Sequence, residues 1–211
     1  TGTVSGNITL GSNATIATAG GGTALTTSGT TSGAFALTYA GAGSITVSNT
    51  ISTPTSITAN NTLTALNINT ATVTSTGTQT YNSPITLGAA TVTFTTTNSA
   101  ATFAAITNGT ARNMTVSTGS GAISLSGNVG TGTALSAIVL NSTGTTTITG
   151  IVNAASLTTN AGGTTAINST AITTTGAQAY NDNVTLGANA ALNSGAGTIT
   201  FAGTLSGAAN T

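Results

Sequence analysis

The sequence has 211 residues, of which only Arg112 and Asp182 carry a formal side-chain charge; an ordinary soluble domain gives about a quarter of its residues to charge. Thr is the commonest residue, followed by Ala, Gly, Ser and Asn, and there is no His, Cys, Lys, Glu or Trp. Such a chain lacks the bases, thiolates and paired carboxylates on which acid–base, nucleophilic and metal chemistry depend, and one Arg cannot neutralise a phosphate backbone.

The expectation is therefore a protein that is not an enzyme, with no catalytic residue, no metal site, no cofactor and no nucleic-acid partner. Calcium repeats built on several carboxylates are excluded on the same ground. No apolar run approaches the ~18 residues of a membrane span, so no transmembrane segment is expected. The absence of Cys leaves the redox compartment open. Leu, Ile, Val and Phe together make about a fifth of the chain, near the level at which disorder sets in, yet net charge is zero and mean hydropathy is +0.33. Disordered chains combine low hydrophobicity with high net charge, so the composition points to an ordered chain with a narrow core. Without a starting Met or a signal peptide, the sequence reads as a mature segment or a piece of something longer.

In chain order, the strand signals are short and alternate with period two. Ser44–Val47 reads SITV, and Thr70–Thr80 (TATVTSTGTQT) places Thr at every second position. Thr91–Thr97 (TVTFTTT), Ala122–Leu125 (AISL) and Thr198–Phe201 (TITF) follow. Thr is β-branched and favours strands. Clusters of Gly, Asn and Ser separate these runs at intervals of about ten residues. No segment keeps a helical period with caps.

Two repeat families run through the chain. The first is ITLGSN from Ile8, ITLGAA from Ile85 and VTLGAN from Val184, the last two extended upstream as TGTQTYNSPITLG (Thr76–Gly88) and TGAQAYNDNVTLG (Thr175–Gly187). The second is GAGSITVSNTIS from Gly41, GSGAISLSGNVG from Gly119 and GAGTITFAGTLSG from Gly195. The interval from Ile8 to Ser44 nearly equals that from Ile85 to Ala122, but the interval from Val184 to Thr198 is far shorter. Equivalent intervals differ by about one block of roughly 21 to 23 residues, a period in the range of solenoid repeats. Losing such a block would ruin a globular domain, whereas a solenoid tolerates it because each coil touches only its neighbours.

The spacing predicts an all-β fold, a right-handed parallel β-helix of about ten coils of roughly 21 residues, each coil holding two or three short strands, with a rod length of about 50 Å. Residues 1–211 form one solenoid segment in this reading. The inward residues are Ile45, Val47, Leu66, Ile68, Ile85, Leu87, Ile123, Leu125, Ile148, Ile167, Leu186, Ile199 and Phe201, stacking coil on coil. The alternative is a tandem β-sandwich, suggested by the long offset between the matched strings around Tyr81 and Tyr180. Stacked strands bring like side chains within about 4.8 Å of one another, where like charges repel and Thr or Asn can hydrogen-bond. That is a physical reason for a charge-free skin.

The strings TGAQAYNDNVTLGANAAL (Thr175–Leu192) and TGTQTYNSPITLGAATVTF (Thr76–Phe94), with the GAGTITFAGTLSG block, resemble the repeats of very large bacterial surface proteins, the filamentous-haemagglutinin-like and autotransporter-like adhesins. The resemblance is good over Thr175–Gly207 and Thr76–Phe94 and loose elsewhere. It implies a right-handed parallel β-helix stalk, exported and displayed outside the cell, with no catalytic residues to carry over. Members usually carry more charge than this chain.

Several features admit two readings. Sequons begin at Asn7, Asn13, Asn60, Asn108, Asn113, Asn141, Asn168 and Asn183, but a chain this rich in Ser and Thr yields that many by chance. The runs Thr95–Thr97 and Thr145–Thr147 suit either a flat ice-binding face or ordinary outward strand positions, and the second reading is preferred. Tyr39, Tyr81 and Tyr180, with Phe35, Phe94, Phe103 and Phe201, suit either sugar stacking or coil packing. Arg112 and Asp182, more than three coils apart in this reading, are expected at separate solvated sites. Pro54 and Pro84 are expected at strand starts or turns.

The functional expectation is a structural, non-catalytic extracellular protein, the stalk or filament of a bacterial surface fibre, associating end to end. The alternatives are a glycan-binding adhesin module contacting glycans or a neighbouring cell through an aromatic face, and a strand-donating β-sandwich pilin-like subunit.

Overall fold

Alternating Thr and aliphatic residues give each strand one polar and one apolar side, and coils that close on themselves put every apolar side within. The computed structural model describes residues 1–207 and holds 26 strands with no helix among them. All registered strand pairs are parallel. The antiparallel pairing required by a tandem sandwich is absent from these pairs, so that alternative is wrong.

Each coil has three faces, and each face stacks into a ladder. On the first face, Leu25, Ile45, Leu66, Ile85, Ile106, Val129, Val152, Ile172 and Leu192 pair in sequence as an unbroken inward aliphatic column. On the second, Thr31, Ile51, Val73, Phe94, Val116, Leu140, Thr159, Tyr180 and Phe201 pair in sequence as an inward column of aliphatic, aromatic and Thr side chains. On the third, the column is Ile16, Tyr39, Ala59, Tyr81, Phe103, Leu125, Ile148, Ile167 and Leu186. Each step in register spans one coil of chain, the short coils running as from Leu66 to Ile85 and the long ones as from Met114 to Ile138. The result is a solenoid of about 10 turns, its coils about 21 residues apart, in agreement with the spacing of the repeats.

The expected inward residues do face inward, but not as one progression. Ile45 to Leu87 lie on the first face, Ile123 to Leu186 on the third, and Ile199 and Phe201 on the second. Ten of the thirteen are buried; Leu186, Ile199 and Phe201 are half-buried because they lie in the last two coils. Full burial of such a side chain is worth about 1.5–3 kcal/mol. Packing on the third face alternates bulk: Ala59 separates Tyr39 from Tyr81. Tyr81 then stacks on Phe103 at 5.1 Å, with Phe94 edge-on to both.

The sequence repeats do not lie above one another. Ile8 begins a second-face strand, Ile85 a first-face run and Val184 a third-face run. Ser44, Ile123 and Ile199 likewise fall on the first, third and second faces. Successive family members are displaced by whole coils plus two further faces, so the three faces are interchangeable in sequence.

Corners satisfy the backbone groups that the ladders leave free. Asn side chains on one coil accept the N–H of the next, as Asn7 from Thr30 (3.0 Å), Asn13 from Ala36 (3.0 Å), Asn128 from Ile151 (3.0 Å) and Asn183 from Thr204 (2.9 Å). Gly150 stacks directly over Gly127 at a corner where neither has room for a Cβ. Pro54 is buried just ahead of the strand Ser56–Ala59, as expected. Pro84 instead lies inside the strand Gln79–Leu87, where the register shifts between Tyr81 and Pro84 as the chain turns from the third face to the first.

Candidate functional site

The residues singled out as candidates are mostly structural. Tyr39, Tyr81 and Tyr180 are fully buried, as are Phe94 and Phe103, and Phe201 is half-buried against Tyr180 at 5.2 Å. The aromatics pack between coils, and the alternative of an aromatic sugar-binding face is not formed: Phe35, 38% exposed, is the aromatic most open to solvent. Burial pushes all three phenols well above the usual tyrosine range, with the neighbouring Tyr39 adding to the effect on Tyr81.

The repeated upstream string has a clear structural role. Gln79 donates through Nε2 to the carbonyls of Val73 (3.2 Å) and Thr95 (2.9 Å), on two successive coils, and accepts the Tyr81 hydroxyl at 2.9 Å. Gln178 repeats the arrangement with Ile172 (3.2 Å), Asn193 (2.9 Å) and Tyr180 (2.9 Å). Both Gln are fully buried, and the motif seals a corner by bridging carbonyls that face the core. These are the two Gln of the chain. Their recurrence in matched strings was the available signal, but composition gave no reason to place an amide inside the rod. Tyr39 has no such neighbour, and its hydroxyl is buried without a partner.

Asp182 overturns the expectation of a solvated site. It is 2% exposed, and its carboxylate accepts the Gly163 N–H (2.9 Å) and the Thr165 hydroxyl (3.2 Å). It aligns with Ser83 in the sequence repeat, and Ser83 is buried too; the position turns inward at a corner, whatever residue fills it. Arg112 is half-buried, and its Nε is enclosed without a partner. The partners found for Asp182 do not include Arg112, in line with their separation in sequence.

The Thr runs do not form flat patches. Thr146 and Thr96 are buried while their neighbours face out. The true Thr arrays run along the rod. On the third face Thr15, Thr38, Thr58, Thr80, Thr102, Ser124, Thr147, Ala166, Thr185 and Ser206 form one outward column, paired rung by rung without a register shift within the face. The first-face column is bonded to itself, through Asn67 to Thr46 (3.3 Å) and Thr86 with Thr107 (3.2 Å), and its pairing shifts after Ile106. The second-face pairing shifts between Ser117 and Gly119.

The remaining candidate surfaces are the outermost described coils. Val4 and Leu205 are 39% and 50% exposed. Val4 stands in the inward line of Thr27, and Leu205 in that of Val184. Ile8, Ile16, Leu192 and Ile199 are only half-buried. The core column is thus open to solvent at each of these coils.

No helix among the described residues is long and apolar enough to cross a membrane. Comparison of the chain with protein-family profiles, with curated proteins and with solved structures finds no match.

Proposed function

We propose that the chain is a structural, non-catalytic rod, a length of stalk or filament in a bacterial surface fibre outside the cell. The observation that carries this reading is the parallel ladder itself, three faces stacking rung on rung along one axis beneath an outer skin almost free of charge. Among the described residues no strand pairs with the outer edges of the first and last coils, where Val4 and Leu205 are exposed, and such edges template further pairing. A further rung, from more chain or from a second copy, would cover both. Repeated addition of that kind is a head-to-tail interface that does not close and therefore builds a filament.

The material suits the role. Ladder hydrogen bonds run along the axis, so tension on the rod loads many of them together. A surface of Thr, Ser, Asn and Ala responds little to salt, because it holds almost no charge to screen. The resemblance of Thr76–Phe94 and Thr175–Gly207 to adhesin repeats supports placement at the cell surface. The expectation of a protein that is not an enzyme belongs to the same proposal and rests on composition. The glycan-binding alternative loses its basis with the burial of the three Tyr residues.

Sedimentation of the chain over a wide concentration range, with electron microscopy of the same samples, tests the proposal. The expected result is rods that lengthen with concentration, and a Leu205→Asp variant that stays short. A chain that remains strictly monomeric at every concentration refutes end-to-end assembly.

A further inference from the structure

We propose that the third face is a lateral docking surface whose occupant is the same face of a second copy, so that rods pair side by side. Two observations single it out, and a third bears on what it can bond. It keeps one register through all nine steps, while the other two faces are interrupted. Its outward column holds nothing larger than Thr and no charge, so no like charges oppose one another across it. Among the described hydrogen bonds, the side-chain hydroxyls of this column from Thr15 to Thr147 have no partner within the chain and are free to bond outward, while Thr185 and Ser206 bond each other (3.3 Å) as Thr86 and Thr107 do on the first face (3.2 Å).

A periodic array of weak groups recognises only something with a matching period. A second copy has the same rung spacing by construction, so alignment at one rung aligns every rung. The face measures about 50 Å by about 13 Å, from ten rungs at about 4.8 Å and strands of about four residues. Two such faces in contact bury about 1,200 Å², the lower end of the range for specific protein–protein interfaces. Each further coil would add area in proportion, so lateral affinity rises with rod length.

In an antiparallel two-fold pair the axis passes between the fifth and sixth coils, which places Thr102 of one rod opposite Ser124 of the other. The test is sedimentation in a Leu205→Asp background, in which end-to-end growth is blocked and lateral pairing is read alone. This inference stands apart from head-to-tail growth, and either can fail without the other. The expected result is a dimer that T102K/S124K returns to monomer, while T86K/T107K, on the first face of the same two coils, leaves it intact. Mixing T102K/S124K with T102E/S124E should restore the dimer, which a merely misfolded variant could not do. A monomer at all concentrations, an equal effect of T86K/T107K, or no rescue on mixing overturns the proposal. If the monomer instead slows ice growth or sediments with crystalline cellulose, and T102K/S124K abolishes this, the face serves a different lattice and self-pairing is likewise overturned.

Discussion

Three tyrosines share one environment but not one hydrogen-bonding state, and removing their hydroxyls separates the two effects. Tyr→Phe keeps the ring and its packing, so no cavity opens. In Tyr81→Phe the lost bond is the 2.9 Å contact to Gln79 Oε1, and the Gln79 carbonyl is left unpaired inside the rod. An unpaired buried acceptor costs about 1–3 kcal/mol, which for a chain of this size lowers Tm by about 2–4 °C per kcal/mol. In Tyr39→Phe the hydroxyl removed is already buried without a partner. Its loss relieves a desolvation penalty, so the variant is expected to be neutral or up to about 1 kcal/mol more stable. Tyr180→Phe loses the same bond as Tyr81→Phe, to Gln178, but lies one rung from the half-buried Phe201, so its cost should be smaller. Urea unfolding followed by circular dichroism, with the slope m unchanged, gives the three differences directly. The reasoning is refuted if Tyr39→Phe destabilises as much as Tyr81→Phe, or if Tyr81→Phe changes nothing.

Two further predictions concern the corners and the pH range. Gly150→Ala drives a Cβ into the Gly127 carbonyl and should cost more than about 2 kcal/mol, whereas Gly20→Ala, with open space at that point, should stay within about 1 kcal/mol; paired thermal melts compare them. Because burial raises the folded-state pKa of Tyr39, Tyr81 and Tyr180 above the ordinary value of 10.0, the unfolded chain releases these protons first. Stability should therefore be level through neutral pH and fall as pH rises beyond about 10. Melts between pH 6 and pH 11 that slope steadily across neutrality would contradict this.

Much of the architecture was legible because the signal was periodic. The alternation in SITV, AISL and TITF fixed which residues face inward, and the block-sized differences between repeat intervals fixed the coil. The number of faces was less visible: ITLG at Ile8 and Ile85 look alike, yet they sit on different sides of the rod. A one-dimensional repeat gives no angle around an axis when three sides are equally suited to the same pattern. Asp182 was misplaced for a different reason. A lone acid in a polar loop reads as solvated, and only the Gly163 N–H and Thr165 hydroxyl of the preceding coil make its burial tolerable. Those partners come from a stacking register that no local window contains. The Gln79 and Gln178 corners share that cause, since each reaches a carbonyl on the following coil, Thr95 and Asn193 respectively.

The two-face slip between sequence repeats also bears on how straight the rod can be. The aromatic pair Tyr81–Phe103 stacks within the third face, and the pair Tyr180–Phe201 within the second. Had the duplicated string returned to the same side, ring would have accumulated behind ring along one edge, and that edge would have lengthened against the other two until the axis bowed. The rotated copies instead place one aromatic pair on each of two faces and leave the first face aliphatic.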